Sequence, residues 1–318
     1  NNRKARVGAS FSGRSLSAGN NFVFQATIEP GWAGEVKRVS VDPTTAAELP
    51  YVAPPDWSAA LNLNTLLATP AVAPALDSDN PWFLSRKVVT RNAAGTRVPF
   101  LLGSLSGTQL ATLASTATQQ QKVVAYLRGG STFGGGAARQ TIEGTNIGQF
   151  RKRYSKLGDI SNSRPAVVGV PSHVWTDITD PGYTGFKTAN AGRSMRVFVG
   201  SNDGMLHSFD AVTGAEVFAY IPSAVITSAK DDGGLYDRGI HALTYQDGGA
   251  PIFKHHMYVD ATPVSTDVDF SNGAGTDWRT IVVGGLGKGG NMYYAIDATS
   301  AVAATEAAAA TKILWEFT

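Results

Sequence analysis

From residue 195 the chain alternates apolar and polar positions in short runs: MRVFVGS, the turn NDG, MLHSFD, the turn AVTG, then AEVFAY. A period of two marks strands with one buried face, and glycine tolerates the positive φ that tight hairpin turns require. The stretch predicts a three-stranded meander. The same order returns from 279 as RTIVVGG, GKGG, NMYYAID, an Ala-rich connection and KILWEF. Aligning the copies sets Gly200 on Gly284, Asp210 on Asp297 and Phe218 on Trp315. A strand precedes each copy, SRPAVVGVP (163–171) and ATPVSTDV (261–268), with Pro165 and Pro263 equivalent. The repeating unit is therefore four strands long.

Four-stranded meanders in series, each closing on an aromatic strand, are the sequence form of β-propeller blades. A weaker third copy is read in FVFQATIEPGWAGEVKRVSVD (22–42) followed by the hairpin RKVVTRNAAGTRVPF (86–100). Rings take about four to eight blades, so further blades are expected outside these residues, and the strand-like KILWEFT at the end suggests a fragment. Between the weak and strong blades, Leu110, Leu113 and Ala117, then Val123, Val124 and Leu127, recur at helical spacing. A short helical insertion is expected there, projecting from the propeller into an interface. The glycine-rich stretch 129–149 reads as a mobile loop and the Pro- and Ala-rich run 50–81 as an irregular connection. The division expected is 1–103 for the first blade-like strands, 104–156 for the insertion and loop, and 157–318 for two consecutive blades.

Composition narrows the class. The 27 basic and 25 acidic residues nearly balance at a net charge of +2 and are scattered, which argues against a nucleic-acid partner. Charged residues make up 16% of the chain, against roughly 25% in an average soluble domain, while glycine is abundant; this suits an exported, turn-rich β protein. Without cysteine the chain forms no disulfide and no thiolate metal site. The longest low-polarity run, AVAATEAAAATK from 301, is too Ala-rich and interrupted to span a bilayer.

Several motifs invite a chemical reading. GLGKGG (285–290) fits the dinucleotide fingerprint, but that fingerprint needs a following helix and here the alternating NMYYAID follows. DVDFSNGAGTDW (267–278) opens like a calcium loop with Asp267 and Asp269, yet Asn272 stands where Gly is required and Trp278 where an acidic residue closes the site. These two aspartates are the weak metal candidates, and DSDN (77–80) is weaker still. The histidines, His173, His207, His241, His255 and His256, contain no zinc-type pair, and no nucleophile elbow occurs. His207 reads as a packing or capping residue on a blade strand, whereas His255 and His256 point to opposite sides if KHHMYVD is a strand. FRKRYSK (150–156) places Arg151, Arg153 and Ser155 on one face, either for a phosphate or acidic partner or as a solvated edge.

LGDISNSRPAVVGVP, RVFVGSNDGMLHSFDAVTGAEVFAYIP, HHMYVDATPVSTDV and WRTIVVGGLGKGGNMYYAID, in that order, resemble the C-terminal propeller region of the PilY family of type IV pilus biogenesis proteins and tip-associated adhesins. IEPGWAGEVKRVSVD, DWSAALNL, SRKVVT and VVAYLRGG extend the resemblance over nearly the whole chain. It implies an all-β, partial β-propeller, modified seven-bladed and quinoprotein-dehydrogenase-like, with a small helical insertion. It implies further a non-enzymatic pilus assembly and adhesion module, exported to the pilus tip, outer membrane or cell surface, and supporting twitching motility, attachment and virulence. The partners implied are minor pilins and a host or abiotic surface. Ca²⁺ is implied for the full-length protein, outside these residues. Within that frame Asn202, Asp203 and Gly204 form a blade turn with Asp203 capping local amides, Asp210 and Asp297 stabilise the next turns, and Phe218 and Trp315 pack between blades. The alternative carried by the same blade pattern is a quinone-cofactor-dependent dehydrogenase; the vicinal cysteines common in those enzymes are missing here.

Overall fold

Two aspartates fix how the repeats superimpose. Arg196 pairs with Asp210 in one antiparallel ladder and Ile281 with Asp297 in the other. On that register Gly200, opposite Leu206, corresponds to Gly285, opposite Tyr293, rather than to Gly284. The glycine alignment made on sequence slips by one residue, which on a strand exchanges the two faces. The correspondence of Phe218 with Trp315 stands, because they pair with Ser208 and Ala295 beside equivalent bulges.

The computed structural model describes residues 5–11, 22–68, 85–133, 140–247, 249, 251–271 and 276–318. The first sheet is an antiparallel meander of β1 (Ala5–Phe11), β2 (Phe22–Glu29), β3 (Ala33–Ser40) and β4 (Trp57–Ser58). Its alternation sends Phe24, Ala26 and Val36 into the main core, and Val23, Val39 and Val41 into a small cluster of their own. Helix α1 (Ala59–Leu66) follows at once inside the stretch read as irregular, started by Ser58, whose side chain accepts from the Leu61 amide. Residues 77–80 lie outside the described residues.

β5 (Val88–Arg91) and β6 (Arg97–Pro99) form the expected hairpin but join a different blade. Helices α2 (Gly107–Leu113) and α3 (Ala117–Leu127) come next, started by a Ser106–Gln109 capping box and by Thr116. The end of α3 does not project. Val123, Val124, Ala125, Tyr126 and Leu127 are buried in the main core, because the last turns of α3 are apolar nearly all round. Two short pairs follow: β7 (Thr132–Phe133) with β8 (Gln140–Thr141), and β9 (Glu143–Gly144) with β10 (Phe150–Arg151).

β11 (Ala166–Val168) leads through helix α4 (Tyr183–Ala189) to β12 (Arg196–Gly200), β13 (Leu206–Asp210) and β14 (Glu216–Ile221), a four-stranded blade. Its outer strand β14 is extended by β5 in parallel, and β6 then lies at the edge of a six-stranded sheet. β15 (Lys230–Asp231) and β16 (Tyr236–Asp237) form a small hairpin. The second blade is β17 (Val264–Asp269), β18 (Trp278–Gly285), β19 (Tyr293–Asp297) and, after helix α5 (Glu306–Ala310), β20 (Ile313–Phe317). The described chain is thus rich in sheet and poor in helix, and no helix among the described residues is long and apolar enough to cross a membrane.

The first sheet shares a turn with the blades that sequence inspection missed. DPTTAAE (42–48) and DAVTGAE (210–216) fold alike: the Asp42 carboxylate accepts from the Thr44 and Thr45 amides at 2.7 and 2.9 Å, and Asp210 from Val212 and Thr213 at 3.0 and 2.9 Å. Ala46 and Gly214 occupy the same left-handed position, with φ of 57° and 70°. Beyond the turn Glu48 makes a single bridge to Val41, and the chain departs before β4 completes the meander. The fourth strand of this sheet is therefore broken, and the hairpin at 86–100 does not replace it.

Candidate functional site

The turn Ser201–Gly204 between β12 and β13 carries a buried chain of charges. His207 projects from β13 with Nε2 donating to both Asp203 oxygens at 3.1 Å and Nδ1 donating to Glu216 at 2.7 Å. Arg86, just before β5, donates from Nε and Nη2 to the two Glu216 oxygens at 2.6 and 2.9 Å. Asp203 also accepts from the Gly158 amide at 3.1 Å and the Met205 amide at 3.2 Å. Burial opposes the charge on every member, but the partners outweigh it: His207 is pushed up to about 9 and Glu216 held down at about 2, while Asp203 is also lowered. His207 is therefore a buried imidazolium, not a bland packing residue. Gly158 permits the junction, since a Cβ there would stand 2.6 Å from the Asp203 nitrogen.

Beside this chain lies a second cluster. Asn202, buried at 3% exposure, donates from Nδ2 to Asp159 at 2.8 Å and to Ser161 at 3.1 Å, and accepts from the Tyr258 amide at 3.0 Å. Its side chain ties three segments together. The other Asp159 oxygen accepts from His255 Nε2 at 2.8 Å. His255 and His256 lie outside any strand: His255 stacks on Trp32, and the His256 ring meets Tyr258 edge-on. The basic run adopts strand only at Phe150–Arg151, yet Arg151, Arg153 and Ser155 do line one cavity together with Lys156. Arg153 and Lys156 both pair with Glu143, at 3.0 and 2.9 Å.

The calcium candidates are engaged elsewhere. Asp267 accepts from Tyr183 Oη at 2.7 Å and Thr280 Oγ1 at 2.5 Å; Asp269 accepts from the Ser271 and Asp277 amides at 2.9 and 2.8 Å. No group of three metal-ligating side chains occurs among the described residues, and 272–275 of the loop lie outside them. GLGKGG forms the turn between β18 and β19 with one 3₁₀ turn at Gly287–Gly289, and a strand rather than an α-helix follows it. Asp297 accepts from the Thr299 amide at 2.9 Å, the same Asx contact that opens the turn after Asp210. His173 stacks on Trp175 with centroids 4.1 Å apart, and His241 is buried edge-on to Tyr245. Trp315 and Phe317 on β20 remain partly exposed, whereas Phe218 is buried against Phe198.

In the Asp203–His207–Glu216–Arg86 chain every carboxylate oxygen and both ring nitrogens have a protein partner. Such an arrangement fixes segments to one another.

A family model described as the PilY1 beta-propeller domain matches residues 157–318. Type IV pilus biogenesis factor PilY1 of Pseudomonas aeruginosa strain UCBPP-PA14 is 34% identical over 304 residues, 91% of this chain and 21% of that protein. The PilY1 of strain PAK is 33% identical over 313 residues, 93% of this chain and 22% of that protein. A PilY1 homolog of Xylella fastidiosa strain Temecula1 is 34% identical over 235 residues, 73% of this chain and 16% of that protein. The crystal structure of the P. aeruginosa PilY1 C-terminal domain aligns at 32% identity over 48% of this chain and 25% of that chain, with a TM-score of 0.31. The chain spans about a fifth of the length of the two Pseudomonas relatives.

Proposed function

The chain belongs to the PilY1 β-propeller family, and from that membership we propose that it is a non-enzymatic scaffold of type IV pilus biogenesis. The observation that carries the scaffold reading is the buried charge chain, in which each carboxylate oxygen of Asp203 and Glu216 and both ring nitrogens of His207 are bonded within the chain, to Arg86 or to backbone amides. The pilus role is supported by relatives named as type IV pilus biogenesis factors. The three sheets form one sector of a larger, seven-bladed, quinoprotein-dehydrogenase-like ring. The whole protein is exported to the pilus tip, outer membrane or cell surface, where it contacts minor pilins and a host or abiotic surface and supports twitching, adhesion and virulence. Ca²⁺ acts in the longer protein at a site other than Asp267 and Asp269.

The competing reading is a quinone-cofactor-dependent dehydrogenase. Reconstituting the intact protein with a quinone cofactor and calcium, then supplying a primary alcohol, separates the two. The scaffold reading predicts no turnover above the cofactor alone; cofactor-dependent alcohol oxidation overturns it.

A further inference from the structure

The cavity lined by the basic run calls for an occupant that the pilus role does not supply, and its chemistry is independent of that role. It encloses about 30 Å³, room for a water or the head of one side chain and too little for a ring. Asp159 is hydrogen-bonded to His255 and Asp203 pairs with His207, while Arg153 and Lys156 share the single carboxylate of Glu143. Arg151 lies with its guanidinium 4.0 Å over the Phe253 ring and makes one long hydrogen bond, Nε to the Leu243 carbonyl at 3.4 Å. No carboxylate among the described residues pairs with it. Lys156, partly buried, is pushed down to about 8, first by desolvation and then by the neighbouring charge of Arg153.

The mouth is built under strain. Trp32 holds φ of 58°, a left-handed conformation that a bulky residue rarely adopts and that persists only where its surroundings enforce it. Here the β2–β3 hairpin and the bridge from Ala33 to Gly158 enforce it. The result sets the indole on His255, centroids 3.8 Å apart, with Trp32 still 47% exposed. Tyr154, 75% exposed, lays its ring over Gly31, where a Cβ would stand 2.2 Å from it. An exposed tryptophan lining the same cavity as an unpaired, half-buried arginine is the anatomy of a binding hot spot.

We propose that this cavity is a socket for a carboxylate side chain presented by a partner protein, with Arg151 as its ion-pairing group and Trp32 as the exposed aromatic at its mouth. Charge complementarity with Arg151 selects an acidic segment, and the volume accommodates a carboxylate head.

The test measures fluorescence anisotropy of a labelled pentapeptide bearing two glutamates, and of its glutamine counterpart, titrated with the intact protein. The glutamate peptide is expected to bind at least about tenfold tighter, a preference that Arg151→Gln abolishes. Trp32→Gly, which relieves the left-handed strain, is expected to weaken binding about fivefold and keeps the test valid if Arg151→Gln fails to fold. Equal binding of the two peptides, or undiminished glutamate preference in both variants, overturns the proposal. Acetate or phosphate binding as tightly as the peptide also overturns it, by making the socket a free-anion site.

Discussion

The His207 ring lies between two carboxylates, with Nε2 3.1 Å from both oxygens of Asp203 and Nδ1 2.7 Å from Glu216, and no part of its side chain reaches solvent. An imidazolium held at about 9 instead of 6.5 favours the folded state in full below pH 6.5, and that contribution fades as pH rises through about 9. Glu216, lowered from 4.5 to about 2, contributes above pH 4.5 and is lost only as pH falls through about 2. Stability measured by urea unfolding is therefore expected to decline between pH 6.5 and 9 by on the order of 3 kcal/mol. His207→Gln is expected to flatten that decline.

Removing one member leaves its partners charged and buried. Glu216→Gln deprives both Arg86 and His207 of their shared carboxylate, in a site where the Arg86 and Glu216 side chains are each 1% exposed. The expected loss is about 3–5 kcal/mol in denaturant unfolding. A loss below about 1 kcal/mol would mean that the segment before β5 is not held to the blade by this pair.

The shared aspartate turn gives a stabilising substitution. Ala46 occupies at φ 57° the position that glycine fills as Gly214 in the homologous turn. An alanine in the left-handed region costs about 1 kcal/mol relative to glycine. Ala46→Gly is expected to raise stability by about that amount, read as a higher urea midpoint at unchanged m.

Calcium affinity separates the two carboxylates of β17 from any ion site. Asp267 and Asp269 already accept from Tyr183, Thr280, Ser271 and Asp277. In calorimetric titration of the intact protein, Asp267→Asn and Asp269→Asn are expected to leave calcium affinity unchanged. A tenfold weakening in either would place the ion in the loop that begins at Asp267.

The part of the fold legible in the sequence is the local part. Alternation in RVFVG, LHSFD and EVFAYI marked the strands of the first blade, and Asp210 with Asp297 marked their register. The glycine slip arose because Gly284 and Gly285 are adjacent and equally able to fill the position. The partner of β5 was illegible, since a parallel neighbour distant in sequence is chosen by the Arg86–Glu216 pair and by the Thr90 hydroxyl donating to the Ile221 carbonyl at 2.8 Å. The inward course of α3 was hidden because helical spacing alone does not say whether a helix faces solvent on its other side. The charge on His207 could not be read from a strand pattern, because one partner lies in the preceding turn and the other on the next strand. The recurrence of D-x-x-T-x-A-E at 42–48 and 210–216 was the signal of the turn that the first sheet shares with the blade at 196–221.

The central claim, a scaffold required to build the pilus, is tested most directly by counting surface pili in the source bacterium after deletion of the gene and complementation. Wild-type protein is expected to restore pili, and protein lacking residues 157–318 to fail. A Glu216→Gln form is expected to restore fewer pili in proportion to its loss of folded protein. Normal piliation by the form lacking both blades would contradict the account.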